Sequence, residues 1–391
     1  MRVLHVTPYF APAFRYGGPP RSVLGLCQGL QRAGVHVEVV TTAANGPTDL
    51  PSSPPEGSEY EGIAVHYAPI AFPRRFFGAR LRGPLSSALT GADLCHIHGI
   101  WNVPEWTASR LARARTVPYV ISPRGMLQPA ALRQGRWRKR VAFRLFERAT
   151  LAGAEFLHAT SNAEAAILQT LNPAGPIVVV PNGVDAAAAS GATPELRARL
   201  GIARDAFVVL FLGRIHPIKR LDLLADAFAT LRASRPAAHL VLAGPDEGGH
   251  LAEIMWRLTA HAGFVHALDA VNEREKWALL RDADALVLCS DSESFGLVVV
   301  EAMAAGLPVV VTRTCPWHEV EAHGCGFYVE QSAAGIAQAL RELAGNRLLA
   351  AGMGARGAAL VRDRYSWDAI GRQMAAHYGN ALGRTRDDRV A

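Results

Sequence analysis

The feature that most constrains this chain is an alternation that starts, stops and starts again. Val3 to Thr7 is a short apolar run, Pro8 to Pro20 a loop, Arg21 to Ala33 an amphipathic stretch and Val35 to Thr41 a second apolar run, which together predict a β-α-β unit. Further runs follow at Ala64 to Tyr67, Leu94 to His98, Tyr119 to Ser122, Glu155 to Ala159 and Ile177 to Val180. After Asp185 and an alanine-rich joint, Ala186 to Ala192, the rhythm resumes with Phe207 to Leu212, His239 to Ala243, Val265 to Leu268, Ala285 to Cys289 and Pro308 to Thr312. Strands that are apolar almost throughout are covered on both faces, so each half is expected to be a parallel α/β sheet flanked by helices. The 391 residues suit two such domains, with a boundary near residue 185. Ser366 to Leu382 reads as a terminal helix and Arg384 to Ala391 as a frayed tail, while Pro, Ser and Glu mark Asn45 to Gly62 as a mobile excursion.

Charge is unevenly placed. Met1 to Asp185 carries 19 Lys and Arg against 11 Asp and Glu, the remainder 22 against 23, so the first half is +8 and the second −1. A basic half suits an anionic partner: a nucleotide, a phospholipid surface or a nucleic acid. There are only three lysines, Lys139, Lys219 and Lys276, which makes each of them worth locating. The five cysteines are odd in number and lack a Cys-x-x-Cys spacing, which predicts reduced core thiols and a cytoplasmic protein. No run approaches the 18 or so apolar residues of a membrane span, and the N-terminus has no signal-peptide pattern.

In open parallel sheets ligands bind beyond the carboxyl ends of the strands. In the second half three such ends carry chemistry. The first is Gly213-Arg214 through Lys219, where a guanidinium fork and a compact ammonium suit a pyrophosphate. The second is the Gly244-Pro245-Asp246 turn. The third, Ser290 to Gly306, sets Glu293 seven residues ahead of the last intervening position before Glu301 and places Ser294, Phe295 and Gly296 at a helix start. Amides at such a start suit a phosphate, and the carboxylates suit hydroxyls. Val298 to Val300 is β-branched, yet Gly306 and Pro308 close the segment as a helix would be closed. In the first half, Gly17-Gly18 precede a helix, and His98-Gly99, Ser122 to Gly125 and Asn182-Gly183 end strands.

In order and spacing these pieces resemble the retaining family-4 glycosyltransferases, and the resemblance covers nearly the whole chain. It rests on Gly17-Gly18, His96 to Gly99, Pro181 to Asp185, Gly213-Arg214, Lys219, Gly244 to Asp246, Glu293, Phe295-Gly296, Glu301 and Tyr365 to Trp367. It implies two facing Rossmann-like domains with a cleft between them (the GT-B architecture), with residues 1–185 on the acceptor side, 186–365 binding the nucleotide sugar and 366–391 packing back on the first domain. It further implies transfer of a sugar from a UDP- or GDP-sugar to a glycan or lipid-linked acceptor, with no cofactor. Arg214 and Lys219 would then hold the diphosphate, Glu301 the ribose, and Glu293 the sugar. Gly17, Gly18, Phe295, Gly296 and Leu297 would complete the donor site. Many relatives carry a histidine where this chain has Arg124; Arg124 would either bind a phosphate or an acidic acceptor or be a structural group under the cleft, Asn182 would lie on the acceptor or phosphate side, and His98 would be the imidazole nearest the chemistry. An epimerase or hydrolase on the same plan is the alternative enzyme, and a nucleic-acid-binding protein the remote one.

Three segments call for separate readings. Asp282-Ala283-Asp284 has a metal-binding form but precedes its strand, and His96 with His98 lack a third ligand of suitable spacing, so no metal is expected. Arg133 to Arg148 mixes arginines with Trp137, Phe143 and Phe146: as a helix it would either lie on an anionic membrane at the inner face of the cell or bury its aromatics. Arg74 to Phe77, with Arg80 and Arg82, forms a second basic patch.

Overall fold

Strand β1 (Arg2–Val6) is the axis of the first sheet, because apolar residues on both of its faces let it accept a parallel neighbour on each side. In the computed structural model, which describes residues 1–46, 48–50, 58–70, 81–133, 136–171, 173–186, 195–246 and 248–390, the chain divides into two units, Met1–Gly183 with Trp367–Ala391, and Val184–Ser366. Of the second basic patch, residues 74–80 lie outside the described residues, as does most of the alanine-rich joint, while Arg82 is exposed at the start of the Arg82–Leu89 helix.

The first unit contains β2 (His36–Thr42), a small hairpin of β3 (Ala44–Asn45) and β4 (Thr48–Asp49), then β5 (Ser58–Tyr60), β6 (Ile63–Ala68), β7 (Leu94–His98), β8 (Tyr119–Ser122), β9 (Leu157–Ala159) and β10 (Ile177–Val179). Eight of these form one sheet in the order β10-β9-β8-β7-β1-β2-β6-β5, parallel except for the β5–β6 edge pair. From β1 the chain winds one way through β2 and later the other way through β7, so the sheet's switch point lies between β1 and β7. Ser58–Tyr60, expected within a mobile excursion, is instead an antiparallel edge strand.

The second unit is a six-stranded parallel sheet of β11 (Val208–Leu212), β12 (His239–Ala243), β13 (Val265–Leu268), β14 (Ala285–Leu288), β15 (Val309–Thr312) and β16 (Gly326–Val329), in the order β13-β12-β11-β14-β15-β16. The same reversal puts its switch point between β11 and β14. The short β16 was not anticipated, because Gly326 and two aromatic-bordered positions give it little apolar rhythm. Leu224, Phe228 and Leu231 of the Leu221–Ser234 helix pack on one face of the sheet, while Val299, Val300 and Met303 of the Leu297–Ala304 helix pack on the other. Each fully buried aliphatic side chain contributes about 1.5–3 kcal/mol.

The last helix, Trp367–Val390, belongs to the first unit. Its stripe of Ile370, Met374, Tyr378 and Ala381 is buried at helical spacing. It lies against the Gly18–Arg32 helix so closely that a Cβ on Gly371 would come 2.2 Å from the carbonyl carbon of Gly29. The helix continues to Val390, so the tail expected to fray from Arg384 is helical that far. All five cysteines are buried and unbridged. No described helix is long and apolar enough to cross a membrane.

Candidate functional site

The loops leaving β11 and β14 are tied together at the second unit's switch point. Asp291 N–H donates to the Ile218 carbonyl (2.8 Å), Arg220 reaches Asp291 (3.1 Å), and Gln331 donates to the Cys289 carbonyl (3.0 Å). Arg214 is exposed on the first of these loops. Lys219 follows at the end of a short 3-10 turn that begins at Pro217, where the ring of His216 accepts from the Ile218 amide.

The groups expected on separate parts of a donor turn out to be paired. Lys219 Nζ donates to Glu293 Oε1, which also accepts from Ser290 Oγ (2.9 Å). Both side chains are largely buried, at 16% and 13% exposure. The ammonium has three donors, so a lysine anchored on a carboxylate still has protons for an anion. Glu301 is paired in turn with Lys276, whose Nζ lies 2.7 Å from Glu301 Oε1 and 2.5 Å from Glu273 Oε1. Among the described residues Glu301 Oε2 has no hydrogen bond, which leaves one carboxylate oxygen to accept from a hydroxyl. The chain's scarcity of lysine was the sequence signal for Lys276; its partner was not visible there.

Gly296 caps the Leu297–Ala304 helix with φ of 82°, a conformation that glycine adopts without strain. Val298 to Val300 are helical, because the apolar face they supply is needed by the core. By helix geometry the Leu297 and Val298 amides have no partner inside the helix. Phe295, by contrast, is 4% exposed, its ring 5.0 Å from that of Trp317 and its carbonyl taken by Trp317 Nε1. It is a core residue that fixes the loop, and its ring does not line a donor site. The Gly244 to Asp246 turn is tied to the neighbouring loop by Ile215 N–H to Pro245 O (2.9 Å). Asp282 and Asp284 are both engaged by Arg197, at 3.8 and 2.6 Å, so that pair acts as a structural clamp.

In the first unit the loops after β1, β7 and β8 meet in a buried polar cluster. Gly17, with φ of 83°, caps the Gly18–Arg32 helix, which begins three residues earlier than expected. His5, aligned with His96 by strand register, supplies the third imidazole that spacing could not reveal: donor atoms of His5, His96 and His98 lie within 4.8 Å of one another. Their protons can be placed from their partners. Arg124 Nε and Nη2 donate to His98 Nδ1 (3.2 and 3.1 Å), so His98 carries its proton on Nε2 and gives it to His5 Nδ1 (2.8 Å). His158 Nε2 must donate to the Val180 carbonyl (2.7 Å), so its Nδ1 accepts from Ser122 Oγ, which accepts from His96 Nε2 (2.6 Å), whose Nδ1 accepts from Tyr378.

The four imidazoles of this cluster are neutral. Burial, reinforced by Arg124, pushes His5 down to about 3 and His98 well below its ordinary range. With His98 Nδ1 taken by Arg124, His96 Nδ1 by Tyr378 and a guanidinium alongside, the three imidazoles fit a metal poorly. His98, expected as the imidazole nearest the chemistry, has both nitrogens engaged inside the unit. Asn182 Oδ1 is 3.4 Å from Arg124 Nη1.

The basic aromatic segment is helical over Arg136–Ala142 and Arg148–Ala152, with a π-turn between. Phe143 packs inward, while Trp137, Val141, Leu145 and Phe146 are exposed at 69, 48, 65 and 42%. Arg140, Arg144 and Arg148 are exposed at the same four-residue spacing.

Residues 17–183 match the family described as Glycosyl transferase 4-like domain, and residues 192–359 match Glycosyl transferases group 1. Proteins named D-inositol 3-phosphate glycosyltransferase are 30% identical in Streptomyces avermitilis, over 98% of this chain and 87% of that protein, and 31% identical in Kineococcus radiotolerans, over 97% and 94%. Among solved structures, the Anabaena protein HepE in complex with UDP and glucose superposes with a TM-score of 0.75 at 21% identity, over 97% of this chain and all of that one. Sucrose-phosphate synthase from Thermosynechococcus elongatus does so with a TM-score of 0.78 at 20% identity, over 98% and 100%.

Proposed function

Because this chain belongs to the group 1 glycosyl transferases with a 4-like N-terminal domain, and is a glycosyltransferase of GT-B type, we propose that it moves a hexose from a UDP- or GDP-sugar to a hydroxyl acceptor with retention at the anomeric carbon. The observation that carries this reading is the pairing of Lys219 with Glu293 beside the Gly296 helix start, with Glu301 held by Lys276 farther along that helix. Arg214, Lys219 and the Gly296–Leu297 amides bind the departing diphosphate. Glu293 accepts from sugar hydroxyls and Glu301 Oε2 from the ribose. In the transition state the bond to the leaving phosphate is largely broken and the sugar is oxocarbenium-like, so stabilising the diphosphate is the main task. The leaving phosphate oxygen takes the acceptor proton on the same face of the sugar, which yields retention without a covalent nucleophile. Arg124 and Asn182 belong to the acceptor or phosphate side. The relatives' name makes a phosphorylated polyol one acceptor to try, beside glycans and lipid-linked sugars of polysaccharide biosynthesis.

Thermal-shift titration with UDP, GDP and their sugars tests the donor class, because a ligand that binds only the folded protein raises its apparent stability by RT ln(1 + [L]/Kd). A protein stabilised by neither nucleotide would overturn this reading. Two cationic side chains and a helix start can take over the role of a divalent cation at the diphosphate, so EDTA should leave turnover nearly unchanged. Complete inhibition that Mn²⁺ reverses would sink the metal-independent step.

The exposed stripe Trp137-Val141-Leu145, with Arg140-Arg144-Arg148 beside it, is suited to the surface of an anionic bilayer, where the rings reach the acyl boundary and each arginine contributes about 1 kcal/mol. Such a contact would bring a lipid-linked acceptor to the first unit. Replacing the three arginines with alanine should lower partitioning onto phosphatidylglycerol vesicles roughly 100-fold, from three such contributions. Wild-type protein that stays in the supernatant with those vesicles would refute the contact.

A further inference from the structure

Arg124 has an unusual setting for a charged side chain. Its backbone is left-handed, with φ of 51°, a conformation that costs a residue other than glycine about 1–3 kcal/mol and persists only where the surroundings enforce it. Its guanidinium is held on three sides by neutral groups: His98 Nδ1, Ser22 Oγ at 2.8 Å and Asn182 Oδ1 at 3.4 Å. Among the described residues no carboxylate forms an ion pair with it. The acidic side chain that acts on it electrostatically, Glu164, has both oxygens occupied by the Gly125 and Thr160 amides and the Thr160 hydroxyl.

The donor count is also incomplete. Nε and Nη2 share one lone pair on His98, so the five N–H groups meet three acceptors. Burial lowers Arg124 to about 10, which leaves it charged at neutral pH. A buried charge without a counter-charge is expensive, and a surrounding of neutral imidazoles does nothing to balance it. Arg124 as a whole residue is intermediate in exposure, so its loop is not sealed from solvent although the guanidinium itself is deeply set.

We propose that Arg124 is the anion receptor of the first unit, binding a phosphate or carboxylate of the substrate. His98, Ser22 and Asn182 are positioning residues that hold its fork, and His5 fixes the tautomer of His98. This deepens the glycosyltransferase reading and rests on it only for the source of the anion, which is either the donor's diphosphate or an acidic group on the acceptor.

The test uses Arg124→Met, which removes the charge, and Arg124→Lys, which keeps the charge and loses the fork. Wild type and both variants are titrated with UDP, GDP and uridine, and separately with inorganic phosphate. Removing a charge-assisted contact should weaken its anion about tenfold or more. A loss of nucleotide diphosphate affinity with uridine unaffected identifies the donor's diphosphate as the ligand. Unchanged UDP or GDP affinity with loss of phosphate binding identifies an acceptor-side anion. If Arg124→Met does not fold, by near-ultraviolet circular dichroism, Arg124→Lys is read alone, with at least a threefold loss expected. Folded variants that bind nucleotide and phosphate as wild type does would overturn the proposal and leave Arg124 a structural residue. Wild-type protein that binds neither UDP nor GDP would instead refute the donor reading, and the phosphate titration would still decide the role of Arg124.

Discussion

Lys219→Ala should lower kcat/KM by roughly 100- to 1000-fold, the usual effect of removing one group that stabilises developing charge. The expectation follows from where the ammonium sits. It is 16% exposed and anchored on Glu293, so its position is fixed before any diphosphate arrives, and no reorganisation is needed as negative charge grows on the leaving group. Because the charge on that oxygen is larger in the transition state than in the bound donor, kcat should fall more than KM rises. Lys219→Arg should recover only part of the activity, since a planar fork cannot place its protons as an ammonium does. Removing the lysine also strands Glu293, so Lys219→Ala combined with Glu293→Gln should be less than additive. Arg214→Ala should show a loss of the same kind. If Lys219→Ala turned over within threefold of wild type, the diphosphate role of this loop would be untenable.

Lys276→Met should destabilise the second unit by about 3–5 kcal/mol, the effect of removing one partner from a buried ion pair. Lys276 is a buried side chain, and its partner Glu301 is nearly as enclosed. Without the ammonium that carboxylate either stays charged in a poorly solvated place or takes up a proton. Combining the change with Glu301→Gln should restore much of the loss, because no enclosed carboxylate is then stranded and Glu273, the other partner, is half exposed to water. Guanidinium unfolding followed by the fluorescence of Trp277 and Trp317, both within the second unit, measures this. A single variant as stable as wild type would show that the pair contributes nothing. Glu301→Gln alone should bring binding of UDP or GDP closer to that of the 2′-deoxy nucleotide.

The parts of this molecule that were legible in the sequence are those that depend on neighbours along the chain. Leu94–His98 and His239–Ala243 read as strands because their apolar runs are bounded by polar punctuation, and the Leu297–Ala304 helix read through its three valines because Gly306 closes it. The pairings were not legible. Lys219 meets Glu293 across 74 positions and Lys276 meets Glu301 across 25, contacts set by sheet order rather than by spacing. His5 joins His96 only because β1 and β7 are parallel neighbours in register. Phe295 carried the opposite error: its place in a recognisable motif suggested a ligand, while its size and the nearby Trp317 and Tyr365 drew its ring into the core.

The close approach of Gly29 and Gly371, with Tyr378 donating to His96 beyond it, bears on the order in which the chain can be made. Domains generally fold as they leave the ribosome, N-terminal first. Here the first 183 residues lack one side of their core until Trp367 and the residues after it have been synthesised, whereas Val184–Ser366 is a continuous segment that is complete before them. The domain begun first is thus the one finished last. During translation its unfilled groove beside the Gly18–Arg32 helix, and the unpaired Nδ1 of His96, are exposed to whatever the growing chain meets.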